Sequence, residues 1–101
     1  MIWKLKDELS GEEERIVKRN LKAGLEGLLG SINGLKEIHV YTEALPFSNM
    51  DIMLECLFQE EEALRTYSTH PAHRKVLKEL VIPYVKSRVR MDFRVEQHII
   101  N

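Results

Sequence analysis

Met50-Asp51-Ile52-Met53-Leu54-Glu55-Cys56-Leu57-Phe58 is the clearest strand in the sequence. Successive side chains of a strand point to opposite faces, so Met50, Ile52, Leu54, Cys56 and Phe58 share one side while Asp51, Met53, Glu55 and Leu57 share the other. The first set is wholly apolar and predicts a core-facing surface. The second mixes carboxylates with Met53 and Leu57, so it does not read as a plain solvent face. Upstream, Leu35 to Thr42 repeats the pattern, with Ile38 and Val40 against His39 and Tyr41, and the turn residues Leu45-Pro46-Phe47-Ser48-Asn49 join the two strands.

Further upstream, Ser10-Gly11-Glu12-Glu13 has the spacing of a capping box, in which Ser10 accepts from the Glu13 amide while the Glu13 side chain reaches back. A helix is expected from there, carrying Ile16, Val17, Leu21, Leu25, Leu28, Leu29 and Ile32 on one stripe and stopped by Asn33-Gly34. Gly24, Gly27 and Gly30 weaken it, and close approach to the sheet is a reason for small residues there. Before it, Met1 to Lys6 sets Trp3 and Leu5 against Lys4 and Lys6 as a short strand. Downstream, Gln59 to Ser68 predicts a helix with Ala63, Leu64 and Tyr67 inward. A second helix starts at His70-Pro71, with Val76, Leu77, Leu80 and Val81 buried, and ends at Pro83. Ser87 to Glu96 reads as the last strand, its Val89, Met91, Phe93 and Val95 alternating with charges, and residues 97–101 as a tail on a single domain spanning 1–96.

The order β-α-β-β-α-β predicts an α+β, ferredoxin-like protomer: a four-stranded antiparallel sheet with helices on one face. Its other face would carry Tyr41, Met53 and Leu57 uncovered, and two edges would be unpaired. A second copy stacked on that face would close both sheets into a dimeric α/β barrel, so a homodimer is expected.

Composition narrows the function classes. Of 101 residues, 44% are hydrophobic, enough for one core, and 15 Lys and Arg against 16 Asp and Glu give a net charge of −1. No basic footprint for nucleic acid exists on that balance, and no apolar run approaches the ~18 residues of a membrane span. The start lacks a signal peptide's apolar segment and Cys56 is the only cysteine, which points to a cytoplasmic protein without an internal disulfide.

Three segments carry a family likeness: Trp3 to Glu8; Glu61-Glu62-Ala63-Leu64 followed by Tyr67-Ser68-Thr69-His70-Pro71-Ala72-His73; and Arg88 to Val95. Together they resemble the stress-responsive dimeric α/β-barrel (Dabb) family over nearly the whole chain. The resemblance implies a ferredoxin-like protomer, dimerisation through the sheet and a cavity between sheet and helices. Most bacterial-type members have no assigned reaction, but one relative, the plant polyketide cyclase that makes olivetolic acid, performs aldol chemistry. Its tyrosine and histidine fall on Tyr67 and His73, and the aspartate supporting that histidine falls on Asp92. A third-strand pocket histidine of the cyclase corresponds to Asp51, and a first-strand one lies before this chain begins. Set against the family, the first strand is short, which is expected to leave neighbouring amides and carbonyls unpartnered.

The candidate catalytic residues are therefore His73 as base, Asp92 as its tautomer-fixing support and Tyr67 as donor to a developing enolate. The same residues also suit plain architecture, with His70 and Pro71 starting a helix and Tyr67 in the core. Candidate ligand contacts are His70, Met53 and Asp51. His70 and His73 stand three apart, but no third ligand is fixed, so neither a metal nor any other cofactor is expected. Arg88, Arg90 and Arg94 suit either an anionic ligand or salt bridges across a dimer. Three functions stay open at this point: a stress-response protein binding a small apolar or aromatic ligand, a small cofactor-free acid/base enzyme using His73 and Tyr67, and a purely structural oligomer.

Overall fold

A computed structural model describes residues 1–101. In chain order the elements are β1 (Ile2–Leu5), α1 (Gly11–Glu26), β2 (Leu35–Tyr41), β3 (Ile52–Phe58), α2 (Glu61–Thr69), α3 (Pro71–Val76) continued by a π-helical segment (Leu77–Val81), β4 (Val85–Val89), β5 (Phe93–Val95) and β6 (His98–Ile100). The central strands run β4-β1-β3-β2, all antiparallel, which is the expected ferredoxin-like sheet. Trp3 and Leu5 of β1, Ile38 and Val40 of β2, and Ile52, Leu54, Cys56 and Phe58 of β3 form one core with Val17, Leu21 and Leu25 of α1 and Ala63, Leu64 and Tyr67 of α2.

The capping box forms in both directions: Ser10 Oγ accepts from the Glu13 amide and Glu13 Oε1 from the Ser10 amide, each at 3.1 Å. Helix α1 ends at Glu26, before the expected Leu28, Leu29 and Ile32, and in the turns that follow Leu28 and Ile32 are buried while Leu29 is half exposed. Gly24 does allow a close approach, but to the helical layer: a Cβ there would meet Leu80 and Val76. At Gly34, φ is +86°, the left-handed conformation that an Asn-Gly stop requires.

The edge strand β2 is protected by the helix beside it. Glu26 accepts from the Val40 amide at 2.9 Å while Lys22 donates to the Val40 carbonyl at 2.8 Å, and the two side chains pair with each other. These bonds occupy main-chain groups that a foreign strand would use.

The chain departs from the sequence reading at its end. Residues 87–96 are not one strand: β4 stops at Val89, and after Arg90–Asp92 the chain makes the hairpin β5–β6, with Glu96 at φ 55° in its turn. Residues 97–101 are therefore not a tail. Strand β6 lies along β3 beyond the point where β1 begins, pairing Ile99 with Phe58 and Ile100 with Leu57, while Cys56 and Asn101 exchange both backbone hydrogen bonds. The short first strand thus leaves no gap on β3: Met1 serves Leu54, and the returning terminus serves the residues after it.

Candidate functional site

The site is built by the α2–α3 corner. Glu61 and Glu62 sit in the first turn of α2, where carboxylates complement the helix dipole, and the helix runs until Pro71 forces His70 into an extended conformation. His70 Nδ1 then accepts from the Ala72 amide at 3.1 Å, capping α3 as the architectural reading expected. This reversal brings His73 back onto Tyr67, their ring centroids 3.9 Å apart and tilted by 36°, with Phe58 edge-on to Tyr67 at 5.0 Å.

Tyr67 and His73 wall a cavity of about 30 Å³ between helices and sheet, room for one water-sized group. Across it stand Trp3 of β1, Leu54 of β3, Arg88 of β4, and Arg90 and Asn101 at the C-terminal end. Two buried polar atoms of its wall residues have no hydrogen-bond partner within the protein: the indole Nε1 of Trp3 and Nδ1 of His73. An unmade hydrogen bond on a buried group costs about 1–3 kcal/mol, so the cavity favours any small group able to accept from one atom and satisfy the other.

Burial dominates the titration here. It pulls His73 down to about 4, against a backbone hydrogen bond to Ser68 that favours the cation, with Arg90 pushing the same way as burial. The imidazole is neutral at physiological pH. Burial also pushes Cys56 up to about 11 and raises Tyr67, whose oxygen lies 3.9 Å from the Cys56 sulfur. Neither group ionises near neutrality.

The expected His73–Asp92 pair is absent. Arg90 Nε donates to Asp92 Oδ2 at 2.9 Å and Asn101 Nδ2 donates to Oδ1, so both carboxylate oxygens are engaged elsewhere. Burial pushes Asp92 up, but these two donors outweigh it and hold the carboxyl below its ordinary value. The strand break at Arg90 is the physical reason: Asp92 belongs to the connection toward the hairpin, not to a strand running past His73.

Of the three ligand-contact candidates, none lies on the cavity wall. His70 is spent as a cap. Asp51 Oδ2 accepts from the Leu5 amide at 2.8 Å, where the β1–β4 register slips, and stands 3.7 Å from Lys4 Nζ. Met53 points to the opposite face of the sheet. No three His, Cys, Asp or Glu side chains group to hold a metal ion. Trp3, Ser68 and Asn101 were not named from sequence as site residues, while Arg88 and Arg90 were offered there only for an anionic ligand or a dimer salt bridge; the pairing of Trp3 with Arg88 across β1 and β4 sets those two together.

On the uncovered face, Tyr41, Met53, Ile2 and Val89 form one cross-strand row, and Leu57, Ile100 and Phe93 another. Met53 is 40% exposed and Met91 68%. A notch of about 150 Å³ lies between Ile2, Met53, Val89, Met91, Phe93 and Ile100, and a wider cleft of about 450 Å³ opens under the β2–β3 loop beside Tyr41, Phe47 and Asp51. No helix is long and apolar enough to cross a membrane.

Comparison with known proteins agrees with this architecture. No curated protein matches the chain in sequence. A crystal structure of a dimeric protein of unknown function and ferredoxin-like fold from Bacteroides fragilis superposes with a TM-score of 0.87 at 26% identity, over 93% of this chain and 90% of the other. The family model of the stress-responsive A/B barrel domain matches residues 1–95, nearly the whole length, and the chain belongs to the Dabb family.

Proposed function

We propose that this protein works as a homodimer whose two sheets stack on their uncovered faces, and that the cavity beside Tyr67 and His73, about 30 Å³ as it stands, widens to bind a small hydroxylated aromatic ligand in each protomer. The apolar outer face carries the reading: Met53, Val89, Met91 and Phe93 are exposed around the half-buried Ile2, on the side of the sheet opposite the helices. A contiguous apolar patch of this kind marks an association surface. The similar Bacteroides fragilis protein, itself dimeric, supports the same assembly.

The ligand assignment follows from the wall. Aromatic rings on two sides favour a planar group, the Trp3 N–H offers a donor, and neutral His73 offers an acceptor when its proton sits on Nε2. A phenolic hydroxyl uses both. An imidazole held to about 4 is a weak base near neutral pH and has no carboxylate behind it, so the same wall supports binding over proton abstraction.

Sedimentation at low micromolar concentration should show a dimer, and a folded monomer there would overturn the assembly. A panel of simple phenols should perturb Trp3 fluorescence in the wild type and fail to do so in His73→Ala. An unchanged Trp3 signal across the panel in the wild type would overturn the ligand assignment.

A further inference from the structure

We infer that the β2–β3 loop is the arm of the dimer, and that Phe47 of each protomer seats in the outer-face notch of the other, beside the partner's Val89 and the partner's Met91. The inference rests on the face-to-face dimer proposed above and adds to it an orientation and an anchoring residue.

The loop is built to present an aromatic ring. Residues 42–51 join β2 to β3, where hairpin connections usually need about two to five residues. Pro46 and Phe47 are the central pair of a turn closed by the Ser48 amide onto the Leu45 carbonyl at 2.9 Å, with proline in the position whose φ it presets. Phe47 therefore stands on a formed tip. It is 86% exposed, the highest value of any large apolar side chain in the molecule. A ring placed that way by the fold and left uncovered by its own chain fits the anchor of an interface, where aromatic side chains fill pockets on the partner.

The sheet supplies the pocket. The row Tyr41–Met53–Ile2–Val89 crosses β2, β3, β1 and β4 on the outer face. The Phe47 loop borders the cleft at the Tyr41 end of this row, and the notch of about 150 Å³ lies at the Val89 end. An apolar cavity of about that size accepts a benzene ring. Stacked sheets keep their strands roughly aligned, so the two-fold axis in the interface runs either along the strands or across them. An axis along the strands, through the Ile2–Met53 pair that borders both depressions, turns the row end for end and lays each loop over the partner's notch. An axis across the strands sets loop against loop and notch against notch, which leaves the notches unfilled in a surface that should pack as densely as a protein interior. Matching tip to notch selects the first arrangement, and symmetry makes the contact twice.

Sedimentation and cross-linking test the arm. Phe47→Ser should keep the wild-type circular dichroism and raise the dimer dissociation constant about a hundredfold, a factor of about ten for each of the two seats. Phe47→Cys and Met91→Cys proteins, mixed and allowed to exchange subunits at concentrations where both sediment as dimers, should be joined into a heterodimer by a short bismaleimide, while neither protein alone is joined. Cys56 is fully buried and does not compete for the reagent. Efficient joining of Phe47→Cys to itself would show loop against loop and overturn the orientation, and an unchanged dissociation constant for Phe47→Ser would overturn the anchor. Either result leaves the dimer itself standing, whereas a wild-type protein that sediments as a monomer overturns both.

Discussion

Leu54 and Met53 are neighbours on β3 and similar in hydrophobicity, yet one is 2% exposed and the other 40%. The difference lies in what the chain can lay over each face. The apolar stripes of α1, α2 and α3 with its π-helical continuation cover the side holding Ile52, Leu54, Cys56 and Phe58, and nothing is left for the side holding Met53 and Leu57. An apolar pattern therefore reports that a surface is to be buried, and the inventory of helices reports whether the chain itself or another molecule must bury it.

Substitutions on the two faces should separate folding from association. Leu54→Asp places an unpaired charge among Trp3, Tyr67 and His73 and should unfold the protein, since such a charge costs several kcal/mol; loss of the cooperative urea transition is the readout. Phe58→Ala keeps the charge balance but empties fully buried volume, and its urea midpoint should report a loss of about 3–5 kcal/mol.

Acid should act on the covered face through His73. His73 titrates at about 4 when folded against about 6.5 in the unfolded chain, so between those values the unfolded state binds the extra proton. Stability from this residue is complete above pH 6.5 and falls by roughly 2–3 kcal/mol as the pH drops to 4. Thermal unfolding across that range should show the loss, and His73→Phe should flatten it. At the small end, Ser10→Ala removes a cap that touches neither face and should cost about 1 kcal/mol, a baseline for local effects.

Legibility in the sequence followed the range of the interactions. The capping box, the Pro71 helix start and the alternation of β3 are local signals, and each appears where its residues place it. The hairpin at residues 93–100 was hidden because Val89, Met91, Phe93 and Val95 keep a strand's period straight through the break, and the turn at Glu96 has no glycine or asparagine to announce it. The terminal strand His98–Ile100 is too short to show a period at all. Tyr67 and His73 were readable because one motif holds both. Asp92 was misplaced because its relation to His73 depends on where β4 ends, and Trp3 joined the site only through a sheet register that brings residues 3 and 88 together.

The central claim is that one face of the sheet holds the fold and the other holds a second copy. For a dimer, the unfolding midpoint rises with protein concentration, because dissociation is coupled to unfolding. Wild-type protein should therefore show a midpoint that climbs across a hundredfold range around micromolar. Met53→Asp, with protomer stability changed by no more than about 0.5 kcal/mol, should fold cooperatively and give one midpoint at every concentration. A wild-type midpoint independent of concentration, equal to that of Met53→Asp, would contradict the account.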